Sequence, residues 1–239
     1  MIKVRRGIGW GLCLAGAFAG VIALLVLALG RLDSVANPTI NLVANQSAGT
    51  LILDAGHGGE DGGAVSVSGI PESQINLAIV LKMRDILGIY GVDPILLRET
   101  DRSLHDGSAS TLREKKSSDL RNRVDIVQSV QDATLLSIHQ NTYTDQRYRG
   151  AQAFYAPTRG SQELAEYFQA CIQSALQPDN ERLAKQIPDT VYLMNHVDCP
   201  AILVECGFLT NPEEEALLQD HTYQTQLAMV LSGAWLTRK

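Results

Sequence analysis

Leu-Ile-Leu-Asp-Ala-Gly-His-Gly-Gly at residues 51–59, Leu-Leu-Ser-Ile-His-Gln-Asn at 135–141 and Ala-Ile-Leu-Val-Glu-Cys-Gly-Phe at 201–208 are built alike. Each is a short apolar run that closes on a residue able to bind a metal or move a proton. A strand buried on both faces of a parallel or mixed sheet has this composition, and such sheets place their chemistry just beyond the strands' carboxyl ends. Adjacent strands lie only about 4.8 Å apart. His57, His139 and Glu205 are therefore expected to form one polar site at a sheet edge, of the kind a hydrolytic zinc centre requires.

Strand and helix signals alternate around these runs. Pro71 opens a helical pattern in which Ile75, Leu77, Ala78, Leu81, Ile86 and Leu87 recur near the helical period, and Gly88 and Gly91 end it. Val92–Leu97 is predicted as a strand, at an edge because of Pro94. Residues 99–118 are polar and turn-rich and predict a long surface loop before a helix at 119–130. Strands are predicted at Leu51–Asp54, Leu135–His139, Ala151–Tyr155, Val191–Met194 and Ala201–Glu205. Further helices are predicted from Gln162 to Leu176, from Asn211-Pro212, and over Tyr223–Leu236. This alternation argues for an α/β sheet covered by helices on both faces.

Not all 239 residues belong to that core. Lys3, Arg5 and Arg6 precede an uncharged, apolar stretch from Gly7 to Gly30. At 1.5 Å per residue it spans roughly 36 Å, enough to cross a hydrocarbon layer of about 30 Å. The basic residues on its amino side direct the remainder out of the cytoplasm. A retained anchor fits the length of the stretch, whereas Ser34-Val35-Ala36 offers a site for signal cleavage; either way the chain is exported. Residues 1–30 are thus expected to be a membrane anchor or signal segment, 31–48 a linker, and 49–239 one catalytic domain. A net charge of −6 without a basic stripe argues against nucleic-acid binding. Four cysteines, one of them in the apolar stretch, make no disulfide framework. Cys206 is expected to pack as a small apolar residue, with a bridge to Cys199 as the alternative.

The glycines around His57 allow a sharp turn and close approach of a ligand, yet their spacing fits neither a phosphate loop nor a dinucleotide fingerprint. A hydrolytic zinc takes three protein ligands and leaves one position open. With His57 and His139 as two of them, Glu72, Asp54 and Asp61 compete for the third place. A glutamate after Pro71 is equally at home as an ordinary first-turn residue. Asp54 suits a supporting hydrogen bond to a histidine or the loop. Glu205 ends the most apolar strand, where burial raises a carboxyl pKa and suits it to act as a general base; the bland alternative is a pair with a basic residue such as Arg182. Asn141 and Arg182 are candidate substrate contacts.

Together with Pro-Glu at 71–72 and the continuation Leu-Thr-Asn-Pro-Glu-Glu at 209–214, these motifs resemble the zinc-dependent N-acetylmuramoyl-L-alanine amidases of bacterial cell walls, in that family's order. The resemblance implies a mixed six-stranded sheet flanked by helices on both faces. It also implies Zn2+ held by His57, Glu72 and His139, with Glu205 catalytic, so it is what places Glu72 above its competitors. The implied reaction is hydrolysis of the amide between the lactyl group of N-acetylmuramic acid and L-alanine in peptidoglycan. Asp-Ala-Gly-His stands where Asp-Pro-Gly-His is usual in the family, which should alter loop rigidity and not chemistry. The Arg-Glu-Thr-Asp at 98–101 and Glu-Lys-Lys-Ser-Ser-Asp-Leu-Arg at 114–121 are similar to the membrane-anchored sporulation subgroup, which prepares muramic-lactam in the spore cortex. No second wall-binding domain is recognisable, so targeting is left to the membrane segment, the cleft or an activating protein partner. The competing functions are a different zinc peptidase acting on wall peptides, and a non-catalytic wall-binding protein.

Overall fold

The computed structural model describes residues 49–238; the segments expected to be an anchor or signal (1–30) and a linker (31–48) lie outside the described residues. The elements run β1 (Thr50–Ala55), α1 (Glu72–Ile89), β2 (Ile95–Leu96), α2 (Leu112–Gln128), β3 (Ala133–Asn141), β4 (Gln152–Tyr155), α3 (Ser161–Ala175), β5 (Lys185–Gln186), α4 (Tyr192–His196), β6 (Ala201–Phe208), α5 (Pro212–Gln219) and α6 (His221–Thr237). Among them, no helix is long and apolar enough to cross a membrane.

The strands form one mixed six-stranded sheet in the order β2-β1-β3-β6-β4-β5. β2, β1, β3 and β6 are mutually parallel, while β4 runs antiparallel to β6 and parallel to β5. Successive side chains on a strand point to opposite faces. Accordingly Leu51, Leu53, Ala55, Leu136, Ile138, Ile202 and Val204 pack with α1, α3 and α6 on one face. Ile52, Leu135, Ala201 and Leu203 pack with α2 and α4 on the other. β1, β3 and β6 are covered on both faces, which is why their sequences read as continuous apolar runs. Ile95–Leu96 is the edge strand that Pro94 implied.

Two local expectations are corrected. Val191–Met194 is not a strand: Tyr192–His196 forms a short helix, closed by Asn195 Nδ2 donating to the carbonyls of Pro188 and Val191 at 2.9 and 2.8 Å. A four-residue apolar run carries too little periodicity to separate the two. The sixth strand is instead the exposed dipeptide Lys185–Gln186. The polar loop is shorter than expected, because α2 starts at Leu112 on a complete capping box: Glu114 N donates to Thr111 Oγ1 and Thr111 N donates to Glu114 Oε2. The first turns of α2 carry Lys115 and Lys116, which pair with Glu60 and Asp61 in the glycine loop. Thr111→Ala is expected to cost about 1 kcal/mol, read as a lower urea midpoint at unchanged m-value.

Cys199 and Cys206 are both free. They stand at opposite ends of β6, seven residues of extended chain or roughly 23 Å apart, beyond any disulfide. Cys206 is fully buried in the α1/α6 layer, as expected of a small apolar residue.

Candidate metal centre

Register brings the three strand ends together. His139 pairs with Glu205 across β3 and β6, and Glu205 pairs with Gln152 across β6 and β4. Gly56 follows Ala55, the partner of Ile138, and donates its N–H to the Ile138 carbonyl at 3.1 Å. Gly56, His139, Glu205 and Gln152 therefore form a transverse row on one face of the sheet. Just beyond His139 the β3–β6 register shifts, a bulge that turns the strand ends at the site.

Glu72 reaches this row from the first residue of α1 and is buried. Its Oε1 accepts from Gln140 N at 3.0 Å and meets His139 Nδ1 at 2.9 Å. Its Oε2 accepts from Ala64 N at 3.0 Å and lies 3.4 Å from His57 Nε2. One donor atom from each of His57, Glu72 and His139 falls within 4.8 Å of the others. Burial pushes the Glu72 carboxyl up, but its bonds to the two histidines outweigh that and hold it well below the usual carboxylate range.

His57 is set by its second nitrogen. Nδ1 donates to Asp61 Oδ2 at 3.1 Å, which leaves Nε2, 3.4 Å from Glu72 Oε2, as the nitrogen a metal would take on displacing its proton, the carboxylate–histidine arrangement that orients a metal ligand. Burial pulls the imidazole pKa down; the bonds to Asp61 and Glu72 prevail and push it up to about 9. Asp61, also paired with Lys116, supports His57 from outside the group. Glycine is required around these rings: a Cβ on Gly56 would lie 2.2 Å from the His139 imidazole, and one on Gly63 2.6 Å from both Glu72 Oε2 and His57. That cradle, with two imidazoles and one carboxylate, fits a zinc-type ion with one position open.

Asp54 does not bond a histidine. It accepts from Ser137 Oγ at 2.6 Å and forms a buried ion pair with Arg123. Arg123 in turn donates to the His57 carbonyl at 2.8 Å and pairs with Asp119 at 2.7 Å. His57 has φ +62°, a backbone conformation unusual for a residue with a side chain, and Arg123 and Asp61 hold it there. Arg98, fully buried, donates to Ala55 O, Gly56 O and Ser73 O at 2.8, 3.1 and 2.8 Å. It thereby ties the segment before His57 to the residue after Glu72. Neither arginine was singled out from the sequence. For Arg123 the signal was Asp119 one helical turn earlier.

Glu205 faces the group from β6. Its Oε2 is buried without a hydrogen-bond partner among the described residues. Burial raises its pKa to about 7, with His139 and His57 opposing and Glu72 adding to the rise. Arg182 does not pair with it. Asn141 Oδ1 accepts from Thr142 N at 2.7 Å, and His196 stacks on Tyr192 before the amino end of β6, away from the row.

Residues 51–234 match the family described as N-acetylmuramoyl-L-alanine amidase (Amidase_3). The chain belongs to this family. A germination-specific N-acetylmuramoyl-L-alanine amidase of Bacillus subtilis (strain 168) is 36% identical over 179 residues, covering 74% of each chain. The CwlD amidase of Clostridioides difficile, solved in complex with the GerS lipoprotein, is 38% identical with a TM-score of 0.74, over 78% of this chain and 95% of that one. An N-acetylmuramoyl-L-alanine amidase of Clostridium difficile 630 is 28% identical with a TM-score of 0.67, over 78% and 94%. This amidase therefore hydrolyses the bond joining N-acetylmuramic acid to L-alanine, and its mixed six-stranded sheet is the fold of those neighbours.

Proposed function

We propose that the amidase is a zinc enzyme whose ligands are His57, Glu72 and His139 and whose general base is Glu205. The observation that carries this is the unpartnered Glu205 Oε2 beside a His–Glu–His group kept open by Gly56 and Gly63. When bound, zinc supplies Lewis acidity to the amide carbonyl and lowers the pKa of water. Glu205, with a pKa near neutrality, takes the proton of the attacking water and returns it to the leaving amine of L-alanine. Asp61 holds the tautomer of His57, while Arg98 and Arg123 fix the backbone on either side of the ligands, so little reorganisation accompanies the reaction.

The substrate places the reaction outside the cytoplasm, with the basic and apolar residues 1–30 as anchor or signal and 31–48 as tether to a domain over 49–239. The likeness to a germination-specific relative favours a role in the spore cortex, where removal of stem peptides precedes muramic-lactam formation. The neighbour solved with a lipoprotein favours an activating partner of that class at the membrane.

Mass spectrometry of muropeptides after digestion of purified sacculi with the zinc-loaded full chain tests this. Glycan without stem peptides, together with free peptides beginning in L-alanine, is the expected product. A cut at any other bond would identify a different wall peptidase. No cut, even with a cognate lipoprotein added, would indicate a wall-binding protein.

A further inference from the structure

The catalytic row does not end at Glu205. Its next member, Gln152, is committed at both ends: Nε2 donates to the Leu183 carbonyl at 2.8 Å and Oε1 accepts from Arg182 Nη1 at 3.1 Å. Arg182 also donates through Nε to the Arg149 carbonyl at 2.8 Å, and its own N–H donates to Asn180 Oδ1 at 3.0 Å. The guanidinium lies 4.7 Å from the centre of the Phe208 ring and 5.8 Å from that of Tyr148. It is thus held in one orientation, flanked by aromatic faces, at the end of the row that holds the general base.

No carboxylate among the described residues forms an ion pair with it. Glu213 is paired with Arg149 at 3.5 Å. The two oxygens of Glu214 accept from Gly150 N and Phe208 N, each at 2.8 Å. Among the described residues, Nη2 has no hydrogen-bond partner. Arg182 also lines an open cavity of about 700 Å3 shared with Tyr148, Arg149, Glu213 and Leu217. None of His57, Glu72, His139 and Glu205 lines that cavity, so Gln152 is the structural link between the two.

We propose that Arg182 is a specificity-determining anchor for the stem peptide, recognising a free carboxylate on the residue that follows L-alanine. This rests on the amidase reading above and adds the part of the substrate that is selected. The span fits: Arg182 bonds the side chain of Gln152, whose backbone is one strand spacing, about 4.8 Å, from that of Glu205, and two extended peptide residues cover about 7 Å. Arginine suits the task because its planar fork meets a carboxylate with two parallel hydrogen bonds, and bonds to a charged acceptor are the stronger kind.

The test is calorimetric binding to the zinc-loaded full chain carrying Glu205→Gln, which leaves ligands intact. Two muramoyl-L-alanyl peptides are compared, identical except that the second residue's carboxyl is free or amidated. The free acid is expected to bind roughly 10–100-fold tighter. Adding Arg182→Gln should erase that difference and leave the affinity for the amidated peptide within about two-fold, and Arg182→Lys should restore part of the preference. Equal binding of both peptides with Arg182 in place would overturn the proposal. So would an equal loss for both on Arg182→Gln, the mark of a purely structural role. Failure of the amidase reading looks different: with Glu205 present, both peptides would stay uncut while the preference for the free acid persisted.

Discussion

Glu205→Gln retains the metal and loses turnover. The substitution keeps the shape and burial of the side chain at β6 and touches none of the three ligand atoms, so zinc content and chelator resistance should match those of the wild type. What disappears is a carboxylate facing the site with an unpartnered oxygen and a pKa near neutrality. A positioned general base contributes about 10²–10⁴ in rate, and a fall in kcat of that size is expected. Wild-type turnover in the metal-loaded variant would remove Glu205 from its role. The metal-free protein offers a second readout. The folded carboxyl, with its pKa raised from 4.5 to about 7, holds its proton more tightly than the unfolded one. Its contribution to stability is complete below the unfolded value and is lost as pH rises through the folded one. Glutamine has no such dependence. Metal-free Glu205→Gln should therefore match the wild type near pH 4 and exceed it at pH 8 by up to roughly 3 kcal/mol, measured by urea unfolding across that range.

Glu72→Ala abolishes metal binding. Glu72 is the only carboxylate in the group, and its two oxygens serve His139 and His57 separately. Losing a group that merely orients a ligand costs about 10–100-fold in metal affinity, and loss of a ligand itself should exceed that. Activity falls with the metal. Because Gln140 N and Ala64 N also lose their acceptor, the alanine variant should be less stable by about 1–3 kcal/mol. Glu72→Gln separates the two effects in part: its single amide oxygen still accepts from one of those two N–H groups, but it brings no charge to the metal. Loss of the metal with a smaller fall in stability than in the alanine variant is the expected pattern, read by zinc titration alongside thermal unfolding. Zinc affinity within two-fold of wild type in both variants would exclude Glu72 as a ligand.

The parts of this site that were legible in the sequence were those where local composition and three-dimensional position coincide. His57, His139 and Glu205 each follow an apolar run long enough to be a strand buried on both faces, so their convergence could be inferred from strand spacing alone. Glu72 lies on a different element, and a first-turn glutamate after proline is ordinary; only the order of motifs favoured it over Asp54 and Asp61. Arg98 was not legible because its partners are backbone carbonyls on other segments, and for Arg123 the local pair with Asp119 gave no hint of its bonds to Asp54 and the His57 carbonyl, far along the chain. The errors in the fold have a similar cause. The first two turns of α2 are polar on every side and resemble a loop until the reciprocal Thr111–Glu114 cap is noticed. Tyr192–His196 shows two adjacent buried apolar residues, as a strand would, while β5 is two exposed polar residues held by their neighbour.

The most direct test of the metal centre is an anomalous difference map at the zinc edge from crystals of the zinc-loaded protein. A single strong peak at about 2.0–2.1 Å from one nitrogen of His57 and one of His139, and about 2.0–2.2 Å from a Glu72 oxygen, is the predicted result, with Glu205 outside the coordination shell. A peak held by other residues, or one with Glu205 as a ligand in place of Glu72, would contradict the assignment.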